Sequence, residues 1–260
     1  MKEPRDIPQY VEAIRELLGS AGAPPAPPRE VDRLEAFAGV RLPELHRSLL
    51  LYANGISASW GYQRLFGVGD GCHDVGPWNA HETWKFAWPR HLEDFLVIGQ
   101  TGWGDQFAYS LSGLQRGDET IHRLDRILME ESDPPAATSF GDFLIGFLGG
   151  ARNPSERVLE ARRQVGDLRP DELAVFWPSP LLVSLERATQ LRRMNARAAM
   201  VVNGDLATQL LEPANESRQI DLFDTFLDDR GRSRIKVRWS WRPDPEMDSA
   251  EMDLVEMADE

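Results

Sequence analysis

The sequence predicts an α+β fold, in which a mixed or antiparallel sheet flanked by helices is followed by a β-rich α+β extension. Apolar residues recur at helical spacing in the first part of the chain. Two apolar runs joined by a glycine-rich turn then occupy residues 92–111, and β-prone runs follow residue 172. The chain has 260 residues, of which 42% are hydrophobic, so it can bury a sizeable core.

A central hairpin is predicted in residues 92–111, LEDFLVIGQTGWGDQFAYSL. The apolar run at 95–98 is typical of a strand buried on both faces, and alternation over 106–111 is typical of a half-buried strand. Gly102 and Gly104 supply the backbone freedom that a turn needs, and Asp105 can bond locally to the turn backbone. By itself, this segment indicates a structural hairpin and no particular chemistry.

Helices and strands are predicted on both sides of this hairpin from periodicity and capping residues. In the first part they are a helix over 8–18, a helix carrying Val31, Leu34 and Phe37, and a helix that begins at Pro43 and ends in a left-handed cap at Asn54-Gly55. After the hairpin they are a strand within 119–127, a helix opened by Ser139 that ends at Gly149-Gly150, and a helix capped by Asn153 that runs to about Val165.

Residues 151–242 are predicted to form a β-rich α+β unit, either a second domain or an extension that packs on the first sheet. Its four predicted strands span 181–185, 198–203, 220–226 and 235–241, with a hairpin turn at 228–231. Basic residues alternate along the last hairpin and form a positively charged ladder. This ladder either protects an edge strand from aggregation or binds the acidic tail 243–260. Disorder is the default for that tail. The predicted domains are therefore 1–150, 151–242 and 243–260.

The hairpin and its flanking pieces also resemble a known family. IGQTGWGDQFAYSL, the Leu42-Pro43 helix start, Asn54-Gly55 and the downstream SFGDFL at 139–144 occur in the order that is typical of the SUKH superfamily. The resemblance spans residues 8 to 150, whereas residues 151–260 resemble nothing we recognise.

The resemblance to SUKH proteins implies a small α+β fold used for binding other proteins. Many bacterial members are immunity proteins that neutralise nuclease or other toxins, and fungal members regulate cell-wall synthesis and signalling. The leading interpretation is a toxin immunity protein, and the alternative is a regulatory or scaffold protein. The residues that match the family pattern, and that would shape a loop beside a binding surface, are Asn54, Gly55, Gly99, Gly102, Trp103, Gly104 and Asp105.

The net charge of the chain limits the classes of partner that it can bind. The formal net charge is −13, and eight acidic residues without a basic one lie in 243–260, so the rest of the chain carries −5. Nucleic acid is a poor direct partner for this surface, because phosphate binding requires a basic face. An acidic surface suits a basic protein partner such as a toxin domain, although solubility alone also accounts for it.

Catalysis, metal binding and cofactor binding find no support in the sequence. No GxSxG, HExxH, Walker or CxxC motif is found, so we predict no catalytic residue and no cofactor, with an unrecognised enzyme as the remaining alternative. Cys72, His73, His81 and His91 match no zinc spacing, and the glycines of 67–71 indicate a plain loop. The single cysteine and the lack of a membrane span or secretory signal predict a cytoplasmic protein with no membrane partner.

Overall fold

The computed structural model describes residues 24–69, 74–88, 90–177, 179–182, 190–212 and 218–241. The described residues up to Gly204 belong to one compact unit, and those from Asp205 belong to a second. The predicted helix over 8–18, the residues Cys72 and His73, and the acidic tail lie outside the described residues. The sequence-based boundaries at 150 and 242 remain predictions.

Within the described residues, two helices precede the first strand. Helix α1 (Pro28–Ala38) begins with a proline at its first position and ends at Gly39, whose φ of 68° is left-handed. Helix α2 (Glu44–Tyr52) follows Pro43 and ends at Ala53, which is extended. The predicted left-handed cap at Asn54-Gly55 is therefore wrong. The left-handed residue is Gly55, with φ 84°, and it lies between the helix and the first strand, where the chain changes direction.

The main sheet is antiparallel and has the strand order β1-β2-β3-β4-β5. Its strands are β1 (Ile56–Ala58), β2 (Gln63–Leu65), β3 (Phe95–Thr101), β4 (Gln106–Ser110) and β5 (Ile121–Leu124). All of β3 except its last residue is buried, as the continuous apolar run predicts. The α+β class and the central β3–β4 hairpin are confirmed. Strands β1 and β2, with three residues each, were not predicted.

Shorter helical segments connect these strands. They are helix α3 (Val75–Asn79), helix α4 (Leu111–Gln115) and the 3-10 turns Ser59–Gly61, Lys85–Ala87 and Arg90–Asp94.

Helix α5 (Phe140–Arg152) packs on the sheet and on α2. Ser139 opens it as predicted, since its hydroxyl accepts a hydrogen bond from the Asp142 amide at 3.2 Å. The ring of Phe143 lies 5.1 Å from that of Phe107, centroid to centroid. The predicted end at Gly149-Gly150 is wrong, because the helix continues to Arg152. The glycine at 150 has a packing role: a Cβ atom there would lie 2.7 Å from the side-chain nitrogen of Gln63.

The next helix and strand pair belong to the first compact unit. Helix α6 (Glu156–Val165) is capped by Ser155, not by the predicted Asn153, because Asn153 already forms the C-terminal cap of α5. Strand β6 (Glu172–Trp177) pairs antiparallel with β7 (Gln190–Asn195). This segment shares a hydrophobic cluster with the main sheet. The cluster consists of Tyr62, Trp103, Val158, Ala161, Leu168 and Ala174.

Two of the four predicted C-terminal strands are wrong or incomplete. The run 198–203 lies inside helix α7 (Ala196–Leu210), whose alanine-rich start favours a helix over a strand. The side chain of Asn195 accepts a hydrogen bond from the Ala198 amide at 3.2 Å, as a helix cap does. Residues 181 and 182 form a turn, and the remainder of the predicted strand 181–185 lies outside the described residues.

The second unit contains the predicted hairpin. Strand β8 (Arg218–Leu227) pairs antiparallel with β9 (Ser233–Trp241), and the turn at 228–231 includes Gly231 with φ 71°. Both predicted strands, 220–226 and 235–241, are confirmed. Two arginines of the basic ladder on β9 are paired within this unit, since Arg234 binds Asp205 and Arg238 binds Asp224.

Candidate binding site

The β3–β4 turn, residues 102–105, is fixed by close backbone contacts. The Gly102 amide donates to the Tyr62 carbonyl at 2.7 Å, and the Gly102 carbonyl accepts from the Ala174 amide at 2.7 Å. A Cβ atom at Gly102 would lie 2.7 Å from a ring carbon of Tyr62, so only glycine fits there without displacement. Gly104 adopts φ 98°, a conformation that favours glycine. Both glycines therefore serve the turn that the sequence predicts.

Asp105 connects this turn to the segment after β5. Its carboxylate is almost fully buried and forms ion pairs with Arg123 at 2.7 Å and Arg126 at 3.4 Å. It also accepts a hydrogen bond from the backbone amide of Arg126 at 3.1 Å. We expected the side chain to bond locally within the turn. It binds residues 18 and 21 positions further along the chain instead, because the turn leaves it facing that segment.

Trp103 lies against the same group of side chains. It is 8% exposed, and its ring centroid lies 5.4 Å from that of Tyr62. The guanidinium of Arg157 lies 4.9 Å from the indole centroid, within cation–π distance. The indole Nε1 is buried and has no hydrogen-bond partner in the described part of the chain. A buried N–H without an acceptor is costly, so this donor is available to a group that enters the site.

A small cavity adjoins the indole ring. It has a volume of about 20 Å³, room for one water-sized group. Its walls include Trp103, Arg126, Phe176, Ser179 and Asn203. The cavity thus has a cation, an indole, a hydroxyl and an amide in its walls.

The balance of charge around Asp105 is positive. The guanidinium groups of Arg126 and Arg157 lie 5.3 and 5.7 Å from the centroid of the Phe176 ring. Partial burial lowers the pKa of Arg157, and the neighbouring Arg126 and Arg123 lower it further, whereas Asp105 opposes them. Asp105 therefore pairs with two guanidinium groups, and a third, that of Arg157, lies near enough to interact electrostatically with all three of these groups. An arrangement with excess cations attracts a negatively charged group.

Asn54 and Gly55 form a separate structural feature. The Asn54 amide donates to the Val68 carbonyl at 2.7 Å, and its side-chain oxygen accepts from the Val68 amide at 2.7 Å. A Cβ atom at Gly55 would lie 2.9 Å from the Gly67 nitrogen. These residues hold the 67–68 segment close to the end of α2.

The sheet register separates the two groups of predicted site residues. Gly55 precedes Ile56, the first residue of β1, whereas Ala58 at the other end of β1 aligns through Gln63 with Thr101, after which the turn begins two strands away. The structure therefore brings Gly102, Trp103, Gly104 and Asp105 together, and it does not bring Asn54 and Gly55 to them. A binding role for any of these residues remains a prediction.

Sequence reasoning missed the cationic members of the site. Arg123 lies on β5 and Arg126 just after it, and Arg157 belongs to α6. No local pattern marks them, because each reaches the turn only through the tertiary packing of distant segments. The adjacent Trp103 and Asp105 were the only visible signal.

The predictions on metal binding and on membrane spans can be compared with the described residues. Among the described residues, no three His, Cys, Asp or Glu side chains converge on a position suited to a metal ion. Of the four residues whose spacing matches no zinc pattern, His91 contacts the Met129 carbonyl at 3.2 Å, and His81 lies 3.9 Å from Glu93. None of the described helices has the length and apolar character required to cross a bilayer.

Comparison with known proteins supports the sequence-based resemblance. Residues 25–146 match the model of the SMI1 / KNR4 family (SUKH-1), which confirms the predicted resemblance. The crystal structure of Atu4351 from Agrobacterium tumefaciens has a similar fold, with a TM-score of 0.52 and 14% sequence identity. The similarity covers 75% of this chain and 88% of that chain. No curated protein matches the sequence.

Proposed function

We propose that the chain is a non-enzymatic protein-binding module, as the resemblance to SUKH immunity proteins and regulators implies; the match of residues 25–146 to the SMI1 / KNR4 family (SUKH-1) supports this. Its leading role is that of an immunity protein which binds and neutralises a toxin, a nuclease toxin being one case. The family match is the observation that carries this proposal. A regulatory or scaffold role of the SMI1/KNR4 kind is the alternative, since the same family model includes regulators.

The β3–β4 turn is the binding surface that we propose. Trp103 and the partly exposed Arg123 and Arg157 belong to the residue types that supply most of the binding energy in protein interfaces. The turn is held by backbone hydrogen bonds to two other segments, so little conformational entropy is lost when a partner binds. Asn54 and Gly55 shape the loop at the other end of β1.

The test is capture of the partner from the source cell with the tagged full-length chain, at about 50 mM and about 500 mM salt, followed by identification by mass spectrometry. We expect one toxin-like protein whose capture weakens at high salt, because ions screen the attraction of a basic partner to a chain of net charge −13. An unrelated protein of similar net charge serves as control bait, to exclude simple ion exchange.

Neutralisation is then measured directly. The captured toxin is expressed in a sensitive cell with and without this chain, and we expect survival only when the chain is present. Capture of signalling or cell-wall proteins alone would contradict the immunity role and favour the regulator. A captured toxin that kills equally in both cells would also contradict it.

A further inference from the structure

The side chains around the β3–β4 turn form a site with more donors than acceptors. We call it the Trp103–arginine cluster, which comprises Trp103, Arg123, Arg126 and Arg157. Asp105 neutralises part of its charge through Arg123 and Arg126. In the described part of the chain no carboxylate lies within ion-pair distance of Arg157, and the indole Nε1 of Trp103 has no acceptor.

The Arg157 guanidinium, which has no carboxylate partner, and the Trp103 indole N–H, which has no acceptor, are close to each other. The Arg157 guanidinium lies 4.9 Å from the centroid of the same indole ring whose N–H lacks an acceptor. Arg126, whose side chain is only 15% exposed, lines the cavity beside that ring. An acceptor with negative charge would satisfy the indole N–H and balance the excess guanidinium charge at once.

We propose that the Trp103–arginine cluster binds a side-chain carboxylate of an acidic segment on the partner protein. This inference rests on the proposed protein-binding function and adds the chemical class that the site recognises. A carboxylate is planar and pairs with a guanidinium through two parallel hydrogen bonds. The adjoining cavity of about 20 Å³ has room for a water-sized group, such as one oxygen of a carboxylate.

The net charge of the partner and the carboxylate that contacts the Trp103–arginine cluster act at different stages of binding. The net charge of −13 governs the approach of a partner over long range and favours a basic one. A basic protein still carries acidic residues, and the cluster selects one of them and so fixes the orientation of the complex.

The site is tested with hexaglutamate as the probe and the full-length chain in solution. The ¹H–¹⁵N signal of the Trp103 indole is assigned as the one absent from Trp103→Phe. We expect this signal to shift saturably with hexaglutamate and not with hexalysine at matched ionic strength. Arg157→Gln should weaken binding about tenfold or more, because it removes a charge-assisted hydrogen bond.

Arg41→Gln is the matched control, since it removes the same charge from an exposed position on another segment and should bind like the unchanged chain. The remaining indole signals report whether each variant is folded. No shift with hexaglutamate, or equal binding by Arg157→Gln in a folded variant, overturns the proposal. A response to inorganic phosphate alone would overturn it too, because the site would then recognise a phosphate.

The outcomes for the site and for the function are distinguishable. The peptide titration needs no partner, so a negative titration together with a captured toxin overturns the cluster as the carboxylate site and leaves the immunity role standing. A positive titration without any captured partner supports the site and contradicts the proposed function.

Discussion

His46 is a titratable residue enclosed in the core between α2 and α5. It is fully buried and stacks on Phe140 at a centroid distance of 4.3 Å. Its Nδ1 lies 3.4 Å from the Tyr109 hydroxyl, and its Nε2 has no partner among the described residues. Burial lowers the pKa of His46 to about 3, because the charged imidazolium cannot be solvated there. The folded state therefore holds this histidine neutral at ordinary pH.

Acid should destabilise the first unit through His46. In the unfolded chain a histidine titrates near pH 6.5, so its neutral folded form contributes stability above that pH which is lost as the pH falls toward 3. The expected loss approaches about 1.4 kcal/mol per pH unit. His46→Gln should lose less stability than the unchanged chain between pH 7 and pH 5, measured by urea unfolding with tryptophan fluorescence.

His81→Gln is the control for this comparison, since it replaces a half-exposed histidine by the same residue. Six of the eight tryptophans precede residue 205, so fluorescence reports mainly on the first unit. If His46→Gln and the unchanged chain lost equal stability in acid, His46 would not be the cause of that loss.

At the level of single residues, local requirements could be predicted and distant partners could not. The need for glycine at 102 and 104 follows from a tight turn between two apolar runs, which the sequence displays. The partners of Asp105 depend on where β5 and the following segment are placed by the whole sheet. The stacking of Arg157 on Trp103 depends in turn on α6, 52 positions beyond Asp105 in the chain.

At the level of elements, the edge of β9 is protected by side chains of α7. Gln209 donates from its amide to the Ile235 carbonyl at 2.9 Å and accepts from the Val237 amide at 2.9 Å. Asp205 accepts from the Ile235 amide at 2.8 Å and pairs with Arg234. The amide of Gln209 thus takes the place of a strand's peptide group. A two-stranded hairpin is marginally stable alone, so these contacts stabilise it and occupy one edge.

Gln209→Ala should loosen this edge without unfolding the first unit. The Val237 amide loses its acceptor, so its hydrogen exchange should become about tenfold faster, which corresponds to about 1.4 kcal/mol. Gln209→Glu keeps one acceptor oxygen for Val237 and should show a smaller effect. Unchanged exchange at Val237 in the alanine variant would show that the edge does not depend on this side chain.

The predictions of helices and strands are correct where the apolar pattern in the sequence is long or is bounded by clear caps or turns. The β3–β4 hairpin and the β8–β9 hairpin combine apolar runs with recognisable turns. Strand β7, QLRRMN, is mostly exposed and mostly polar, so no alternation marks it. The run 198–203 contains two valines that favour a strand, yet buried Ala199 and Met200 form the inner face of a helix. The helix propensity of the alanines and the burial of these residues together outweighed the strand propensity of the two valines.

At the level of the first compact unit, Arg64 joins the main sheet to the segment that follows α6. Its guanidinium donates to the carbonyls of Arg169 and Glu172, the latter at 2.8 Å. Arg64 is 3% exposed, and burial lowers its pKa to about 10, so it remains charged at neutral pH. Nearby, the Leu168 amide donates to the Trp60 carbonyl at 2.9 Å. The region matched by the family model is thereby bonded to residues beyond it.

Replacing Arg64 should weaken the whole first unit. Arg64→Met keeps the side-chain volume and removes two charge-assisted hydrogen bonds, each worth about 1.5–3 kcal/mol, while relieving part of the cost of a buried cation. We expect a net loss of about 2–3 kcal/mol in the free energy of unfolding. Hydrogen exchange should rise at Leu168 and Ala174, whose amides donate to the carbonyls of Trp60 and Gly102 in the turns beside the main sheet.

Arg64→Lys tests whether charge alone suffices. An ammonium lacks the planar fork that reaches two carbonyls, so we expect it to recover only part of the lost stability. Arg116→Gln, at an exposed position, is the control and should change stability by less than about 0.5 kcal/mol. If Arg64→Met were as stable as this control, the segment after α6 would be held by its hydrophobic cluster and by the backbone hydrogen bonds of Leu168 and Ala174. A cut after residue 150 would then cost stability through the apolar packing lost from Tyr62 and Trp103 and through these backbone hydrogen bonds.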